Sequence, residues 1–511
     1  MPARPAAASV QSPAALSDSP SIARRLLLFF AAYVAAVLAM RVLFPWGMTL
    51  DEAEQLVLSQ RLAWGYHGQP PLYTWLQYFS CSLFGANAFA LAFLKNGLLF
   101  VVYAVHFLLA RRLLRDDAWA RAATVSLFLF PDMAWGVLAG MTHTVLLHLA
   151  CALTWLVELR LSERRDARGY LALGACVAFG FLAKYNYAFF LLAIMGAMLA
   201  VPSHRRVLLD RRIALSLLAA LALLAPHLVW AWEHAGLLAE HLDRRIQLDV
   251  AGAGVVQRLR ALWSLVDNTT DVLFLPILVF LFAFRRQNFE RLPAGDASQH
   301  AWKPLFRSYL IVLLGLLSVA ALAAAPGSAR ARWIQPFYQL FPLALVLRLM
   351  PVEGAARRRT WLVRTAFLLG IGAAIVFWTR PFLATMTGKV NRYNVPIHAM
   401  AEPIRRMGFE NGAILADDVF LAGLLKLTFP EAAAHAPGMG YDNLPDLDGR
   451  QILVAWLTEE GPDPPAPLVA LLRDARGLWP TEPALRIKRN HLYSDRTLEI
   501  AVLLLPATRR D

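Results

Sequence analysis

Residues 24–45 read RRLLLFFAAYVAAVLAMRVLFP: two arginines, an apolar run from Leu26 to Met40, a third arginine and then Pro45. An apolar helix of about 17–25 residues can cross a bilayer, and this run with its flanks meets that length. No small-residue cleavage pattern closes it, so it reads as a retained first span and not as a removable leader. Working outward, comparable runs follow near 88–110, 117–135, 141–160, 169–183, 185–201, 212–232, 263–284, 305–325, 334–350 and 361–379, about eleven in all.

Composition and charge point the same way. Of 511 residues, 58% are hydrophobic and 17% charged, against about 25% charge in an ordinary soluble domain. That excludes a soluble enzyme, a disordered chain and a fibrous one. The net charge of +14 could suggest nucleic acid, but its distribution excludes that partner. Residues 381–511 carry 14 basic and 16 acidic side chains, leaving 36 basic and 20 acidic in the apolar part. Basic clusters at Arg24-Arg25, Arg111-Arg112-Arg115, Arg160-Arg164-Arg165-Arg168, Arg205-Arg206-Arg211-Arg212, Arg285-Arg286 and Arg357-Arg358-Arg359 fall at every second boundary. The positive-inside rule then puts all six in the cytoplasm and residues 381–511 outside.

The chain therefore reads as a polytopic α-helical membrane protein with a small α/β extracytoplasmic domain at its C-terminus. Residues 1–23, rich in Ala, Ser and Pro, read as a disordered cytoplasmic segment. Residues 24–380 form the transmembrane module. In 381–511, strand-like runs at Ala413–Ala416, Gln451–Leu457 and Leu498–Leu505 alternate with helical patterns such as Leu468–Leu472. Cys81, Cys151 and Cys176 sit in or beside apolar stretches without metal-ligand spacing and read as small core residues.

The outer loops carry more polar chemistry than connectors need. The first holds Asp51, Glu52, Tyr66, His67 and Gln69 ahead of Pro70-Pro71. A carboxylate at membrane depth costs roughly 2.5–3.5 kcal/mol, so such residues are usually functional. Thr49 with Glu52 three positions on also makes a capping box, which leaves Glu52 open to a structural as well as a catalytic reading. The second outer loop carries Asp132, Thr142 and His143. Lys184-Tyr185-Asn186 interrupts two half-length apolar runs, as expected either of an anion site within the membrane or of a lysine reaching for the interface. The long loop from Trp232 to Leu262 has the makings of an amphipathic surface segment. Arg330 and Arg332 lie on the side that the charge rule keeps poor in arginine, and arginine suits bidentate phosphate contacts. No phosphate-binding loop, dinucleotide fingerprint or His-Glu-x-x-His motif is present.

These landmarks resemble a known group. Leu50-Asp51-Glu52 followed by Gly65-Tyr66-His67-Gly68-Gln69-Pro70-Pro71-Leu72-Tyr73 is similar to the first outer loop of the ArnT-like and protein-mannosyltransferase superfamily of GT-C membrane glycosyltransferases. Leu182-Ala183-Lys184-Tyr185-Asn186, Pro226-His227-Leu228 and Arg332-Trp333-Ile334-Gln335-Pro336 are similar to later landmarks of its bacterial branch, and the resemblance covers about residues 24–380. It implies a GT-C fold in the bacterial inner membrane and a periplasmic C-terminal domain. It implies a sugar donor on a polyprenyl phosphate and a cell-envelope acceptor: lipid A or lipopolysaccharide core, another glycolipid, or protein. It also implies that Asp51 acts as general base, with Glu52 and His143 as further catalytic candidates. Lys184, Tyr185, Arg330, Arg332, Tyr66, His67 and Gln69 are then the donor-phosphate and substrate contacts. Two departures stand out: Gly68-Gln69 replaces the usual Glu-Lys before the double proline, and Thr142-His143 replaces an acidic residue at the start of the fourth span. No cofactor is assigned, and a divalent metal is left open. The alternatives are a lipid-linked glycan flippase and an O-antigen-ligase-like enzyme.

Overall fold

The computed structural model describes residues 20–44, 47–66, 68–236, 238–239, 254–285, 297–323, 330–350, 354–439, 447–461, 463–476 and 483–507. The expected disordered N-terminus lies mostly outside them, but helix α1 (Pro20–Leu43) begins four residues before Arg24. After α1 come two short helices of the first outer loop, α2 (Leu50–Leu58) and α3 (Leu72–Phe84), then α4 (Ala88–Leu114) and α5 (Asp117–Val125). Next are α6 (Thr142–Glu163), α7 (Ala167–Ala183), α8 (Tyr187–Ala200), α9 (Pro202–Leu208) and α10 (Ile213–Glu233). The bundle closes with α11 (Val255–Phe284), α12 (Ala297–Ala323), α13 (Ala331–Tyr338), α14 (Phe341–Leu349) and α15 (Ala355–Thr379). Much of the long loop between α10 and α11, expected to be amphipathic, lies outside the described residues.

Seven described helices are long and apolar enough to cross a membrane: α1, α4, α6, α10, α11, α12 and α15. The other four expected spans are shorter or broken, each for a visible reason. The stretch 117–135 is α5, a 3-10 turn at Ser126–Leu129 and one π-helical turn at Asp132–Gly136. Pro131 disfavours a helical Phe130 before it, and Phe130 is extended. The stretches 169–183 and 185–201 are α7 and α8, separated by an extended Lys184. The stretch 334–350 is α13 and α14, interrupted at Gln339-Leu340. Such a break is tolerated at membrane depth where protein covers it. Here Gln339 is buried and bonds His148 twice, through the ring at 3.1 Å and the carbonyl oxygen at 3.0 Å.

Helix α6 is the hub. Of its most apolar stretch 78% is buried, against 22–50% in the other six spans. It packs on α4 and α7, while α7 packs on α10 and α8 on α12. Trp155 of α6 meets Phe190, Trp302, Phe306 and Tyr309 with ring centroids 5.1–6.1 Å apart, within the range in which aromatic pairs add to area burial.

The C-terminal region forms a five-stranded mixed sheet in the order β2-β1-β3-β5-β4. The strands are β1 (Ala413–Ala416), β2 (Ala433–His435), β3 (Ile452–Leu457), β4 (Leu485–Asn490) and β5 (Thr497–Leu505). Strands β2, β1 and β3 run parallel, and β3, β5 and β4 antiparallel. Helices α16 (Ile397–Arg406), α17 (Val419–Thr428) and α18 (Ala466–Arg476) complete it. This unit does not stand apart from the first outer loop. Ala53, Leu56, Val57 and Leu58 of α2 share one hydrophobic core with Ile404, Ile414, Leu421 and Ile500. Gly423 of α17 meets α2 so closely that a Cβ there would lie 2.5 Å from the Ala53 Cα. Gln60 just beyond α2 both donates to the Ala434 oxygen (2.7 Å) and accepts from the Ala434 N–H (2.8 Å), capping the β2 edge.

Candidate active site

The site starts at the N-terminus of α2. Thr49 Oγ1 accepts from the Glu52 N–H at 3.2 Å, and Glu52 Oε2 accepts from the Thr49 N–H at 3.0 Å, so the expected capping box is formed. Successive helical residues are about 100° apart, so Asp51 and Glu52 face different surroundings. Glu52 turns inward, 2% exposed. Its Oε1 accepts from Lys95 Nζ at 3.1 Å, and Arg41 stands 3.6 Å from Oε2. Burial opposes its charge, but Lys95, Arg41 and the Thr49 N–H outweigh that and bring its pKa down to about 2. A sealed, paired carboxylate of that acidity is an anchor for α2 and is poorly suited to taking protons. Asp51, half-buried, turns toward α6, where Oδ2 accepts from the Met141 N–H at 2.8 Å. Met141 has φ +61°, and Gly140 (φ +146°) brings the chain so near that a Cβ would sit 3.2 Å from Asp51 Oδ2. The carboxylate thus pins the strained turn that starts α6.

Around this contact the outer ends of five further elements join. His143 Nε2 lies 3.2 Å from Gln55 Nε2, and Gln55 Oε1 accepts from the Thr74 hydroxyl of α3 at 3.0 Å. His143 Nδ1 faces the Ala183 carbonyl oxygen at 3.3 Å. A carbonyl can only accept, which assigns the proton to Nδ1 and makes Nε2 the acceptor from Gln55. Both nitrogens are engaged, and the ring, buried against Tyr73, serves as a wall. Lys184 Nζ donates to the Thr144 hydroxyl at 2.8 Å. Asn186 Nδ2 donates to the Trp333 carbonyl of α13 at 2.8 Å, and Gln335 Oε1 accepts from the Asp132 N–H at 3.0 Å. Burial pushes the Asp132 carboxyl up to about 7, against the opposing pull of the Lys184 and Arg332 cations. The ring closes because Asp132 opens the π-helical turn that leads to Gly140.

Three buried atoms on this ring, Asp132 Oδ2, Asn186 Oδ1 and Gln335 Nε2, have no hydrogen-bond partner. Buried polar atoms are usually paired, and a polar ligand entering here would meet these three.

The sequence candidates sort accordingly. Asp51, His143, Lys184 and Arg332 come together. Tyr66 and Gln69 pair with each other across a tight turn, and the Tyr66 hydroxyl donates to the Arg61 carbonyl at 2.7 Å. Tyr185 points to α10, its hydroxyl 3.1 Å from His227 Nε2. Arg330 precedes α13 and is exposed. His67 lies outside the described residues. Gln55, Thr74, Thr144, Asn186 and Gln335 are members that uncharged character hid, and Asp132 was visible only as one acidic residue in an outer loop. Among the described residues no group of three or more His, Cys, Asp or Glu stands together as a metal site would.

Comparison with known proteins extends this picture. A family described as dolichyl-phosphate-mannose-protein mannosyltransferase matches residues 68–230. The lipopolysaccharide core galacturonosyltransferase RgtB of Rhizobium johnstonii is 31% identical over 439 residues, 84% of this chain and 86% of that one. RgtA of the same organism is 28% identical over 434 residues, with the same coverage. Among solved structures, ArnT from Cupriavidus metallidurans bound to undecaprenyl phosphate superposes with a TM-score of 0.58 at 12% identity, covering 93% of this chain and 97% of that one. The likeness at that identity is one of fold.

Proposed function

The chain belongs to the GT-C family of membrane glycosyltransferases, and from that premise we propose that it moves a galacturonosyl unit from a polyprenyl-phosphate donor to a lipopolysaccharide core or lipid A sugar. The reaction takes place at the periplasmic face of the bacterial inner membrane, where the C-terminal domain lies. The carrying observation is that the start of α6 holds both Asp51, through the Met141 N–H, and Lys184, through the Thr144 hydroxyl, with Asp132 and the cation Arg332 beside them. The galacturonosyl donor is inferred from the two lipopolysaccharide relatives, and the polyprenyl-phosphate carrier from the ligand of the structural one.

In this reading Asp51 keeps Oδ2 on the Met141 N–H and uses Oδ1 to take the proton of the acceptor hydroxyl. The acceptor oxygen forms its bond to the anomeric carbon as the bond from that carbon to the phosphate oxygen breaks, which inverts the centre. Lys184 and Arg332 stabilise the charge that develops on the departing phosphate. Asn186 Oδ1 and Gln335 Nε2 meet sugar hydroxyls. Arg330, exposed at the rim, adds to the field that draws an anionic donor in.

The test is direct. Purified protein should add one hexuronic acid to a lipopolysaccharide core acceptor from undecaprenyl-phosphate-linked galacturonic acid, read by mass spectrometry, and should do nothing with the nucleotide-linked sugar. Transfer from the nucleotide sugar alone would reject the reading.

A further inference from the structure

At the end of α6 opposite Asp51, the chain builds a second concave surface that the transfer reaction does not use. His143 and Arg160 are 17 residues apart on one helix, about 25 Å at 1.5 Å per residue, so this surface lies roughly a bilayer core away from the site. It is a groove of about 660 Å³ between α4 and α6. Leu108, Leu156 and Val157 form its apolar wall, and Arg111, Arg112, Arg115 and Arg160 form its rim. Leu108 is 51% exposed. A second cavity of about 200 Å³ adjoins it, sharing Arg112 and Arg115 and reaching Ser203 and His204.

The arginines are held in place. Arg111 pairs with Asp117 at 2.8 Å, Arg160 with Asp166 at 3.0 Å, and Arg112 with Glu163. Their side chains are still 40–42% exposed. A guanidinium presents five donors, so pairing with a carboxylate does not exhaust what it can offer a phosphate. Arg164 adds a further positive charge beside Asp166.

We propose that this groove binds an anionic phospholipid of the cytoplasmic leaflet, and specifically one with two phosphates of the cardiolipin type. One phosphate seats on Arg111 and Arg160, the other on Arg112 and Arg115 where the two cavities meet, and an acyl chain runs along Leu108, Leu156 and Val157. Basic pockets between spans on the cytoplasmic side favour such headgroups. The placement in the cytoplasmic leaflet rests on the proposed orientation of the enzyme. Lipid retention is read without any transfer assay, so the two readings fail separately.

The full-length protein is reconstituted in nanodiscs of phosphatidylethanolamine alone, with cardiolipin, or with phosphatidylglycerol at equal phosphate charge. Retained lipid is counted by native mass spectrometry. Cardiolipin should be retained well above phosphatidylglycerol, and R112Q/R160Q should cut its retention about tenfold or more. Leu156→Trp fills the groove without touching an arginine and should cut it similarly, which keeps the test informative if the double variant folds poorly. Arg205 and Arg206 are exposed on α9 outside both cavities, and R205Q/R206Q should leave retention unchanged. Equal loss in R205Q/R206Q would reduce the effect to general surface charge and overturn the site. Equal retention of phosphatidylglycerol, or unchanged retention in both groove variants, would overturn it as well.

Discussion

At the Gly140–Thr144 end of α6 the charged groups are held by neutral partners, whereas at the Leu156–Arg160 end they are held by each other. Asp51 accepts a backbone N–H, Lys184 donates to a hydroxyl and Asp132 keeps a buried oxygen unpartnered. At the far end Arg111, Arg112 and Arg160 each meet a carboxylate and stay half exposed. A charge oriented by a neutral group is in place but not neutralised, so it can still act on a ligand. A charge matched at the surface adds little to the stability of the fold and takes no part in the transfer chemistry, although a half-exposed guanidinium keeps donors for a lipid phosphate. Arginine content alone, the signal most visible in the sequence, would rank the two ends the wrong way round for chemistry.

The sharpest break in this comparison is Asp51→Asn. Asparagine keeps an oxygen for the Met141 N–H but accepts no proton near neutral pH, so turnover should fall by about 10²–10⁴-fold. The unfolding midpoint should stay close to that of the parent. Near-normal turnover would remove Asp51 as the base.

Much of this was legible beforehand, and the reason is locality. The long apolar runs, the alternating basic clusters, and the strands at Ala413–Ala416 and Leu498–Leu505 are all set within a few residues, as are the Thr49–Glu52 box and the Lys184 break. What stayed hidden depends on distant partners. Nothing near Glu52 announces Lys95, 43 residues on, which turns a candidate catalytic acid into an anchor. Nothing near Gln55 announces His143, 88 residues on. The packing of α2 into the core of the outer domain rests on Gly423 and Ala434, far along the chain. Lys184 and Arg332 were visible as cations out of place, but the buried carboxyl on which both act had no local signature beyond Pro131-Asp132.

Glu52→Gln sharpens the contrast between the two neighbouring acids through stability. It leaves Arg41 and Lys95 buried without their counter-charge, and breaking a buried pair in this way costs about 3–5 kcal/mol. Chemical unfolding in detergent should report that loss, and adding Lys95→Met should restore part of it. No restoration would mean that Lys95 and Glu52 are not coupled. The sign of the pH dependence is fixed as well. The folded carboxyl titrates near 2, below its usual 4.5, so its contribution is present above about 4.5 and disappears as pH falls toward 2. In Glu52→Gln that part of the acid slope should vanish.

At the phosphate side the effects should be smaller and appear in the donor requirement. Lys184→Met and Arg332→Gln each remove one charged contact, worth roughly 1.5–3 kcal/mol, and should raise the donor KM about tenfold or more. Arg330→Gln, acting only through the field at the rim, should change it by no more than about threefold and lose that effect at high salt. Identical shifts for Arg330 and Arg332 would place both in the site and erase the distinction drawn from exposure.

The smallest effect belongs to the opposite end of the same helix. Arg164 stands 3.4 Å from Asp166 with its own side chain 82% exposed, and solvent and salt screen such a pair. Asp166 keeps its helix cap on the Gly169 N–H at 2.7 Å and its contact with Arg160 at 3.0 Å when Arg164 is removed. Arg164→Gln should therefore leave donor KM, turnover and the unfolding midpoint within measurement scatter. Five other basic clusters remain to hold the orientation, so a reporter fused after Asp511 should also read the same side as in the parent. A clear fall in turnover from this one exposed residue would mean that the two ends of α6 are coupled through the helix, and the division between oriented and matched charge would no longer separate chemistry from scaffold.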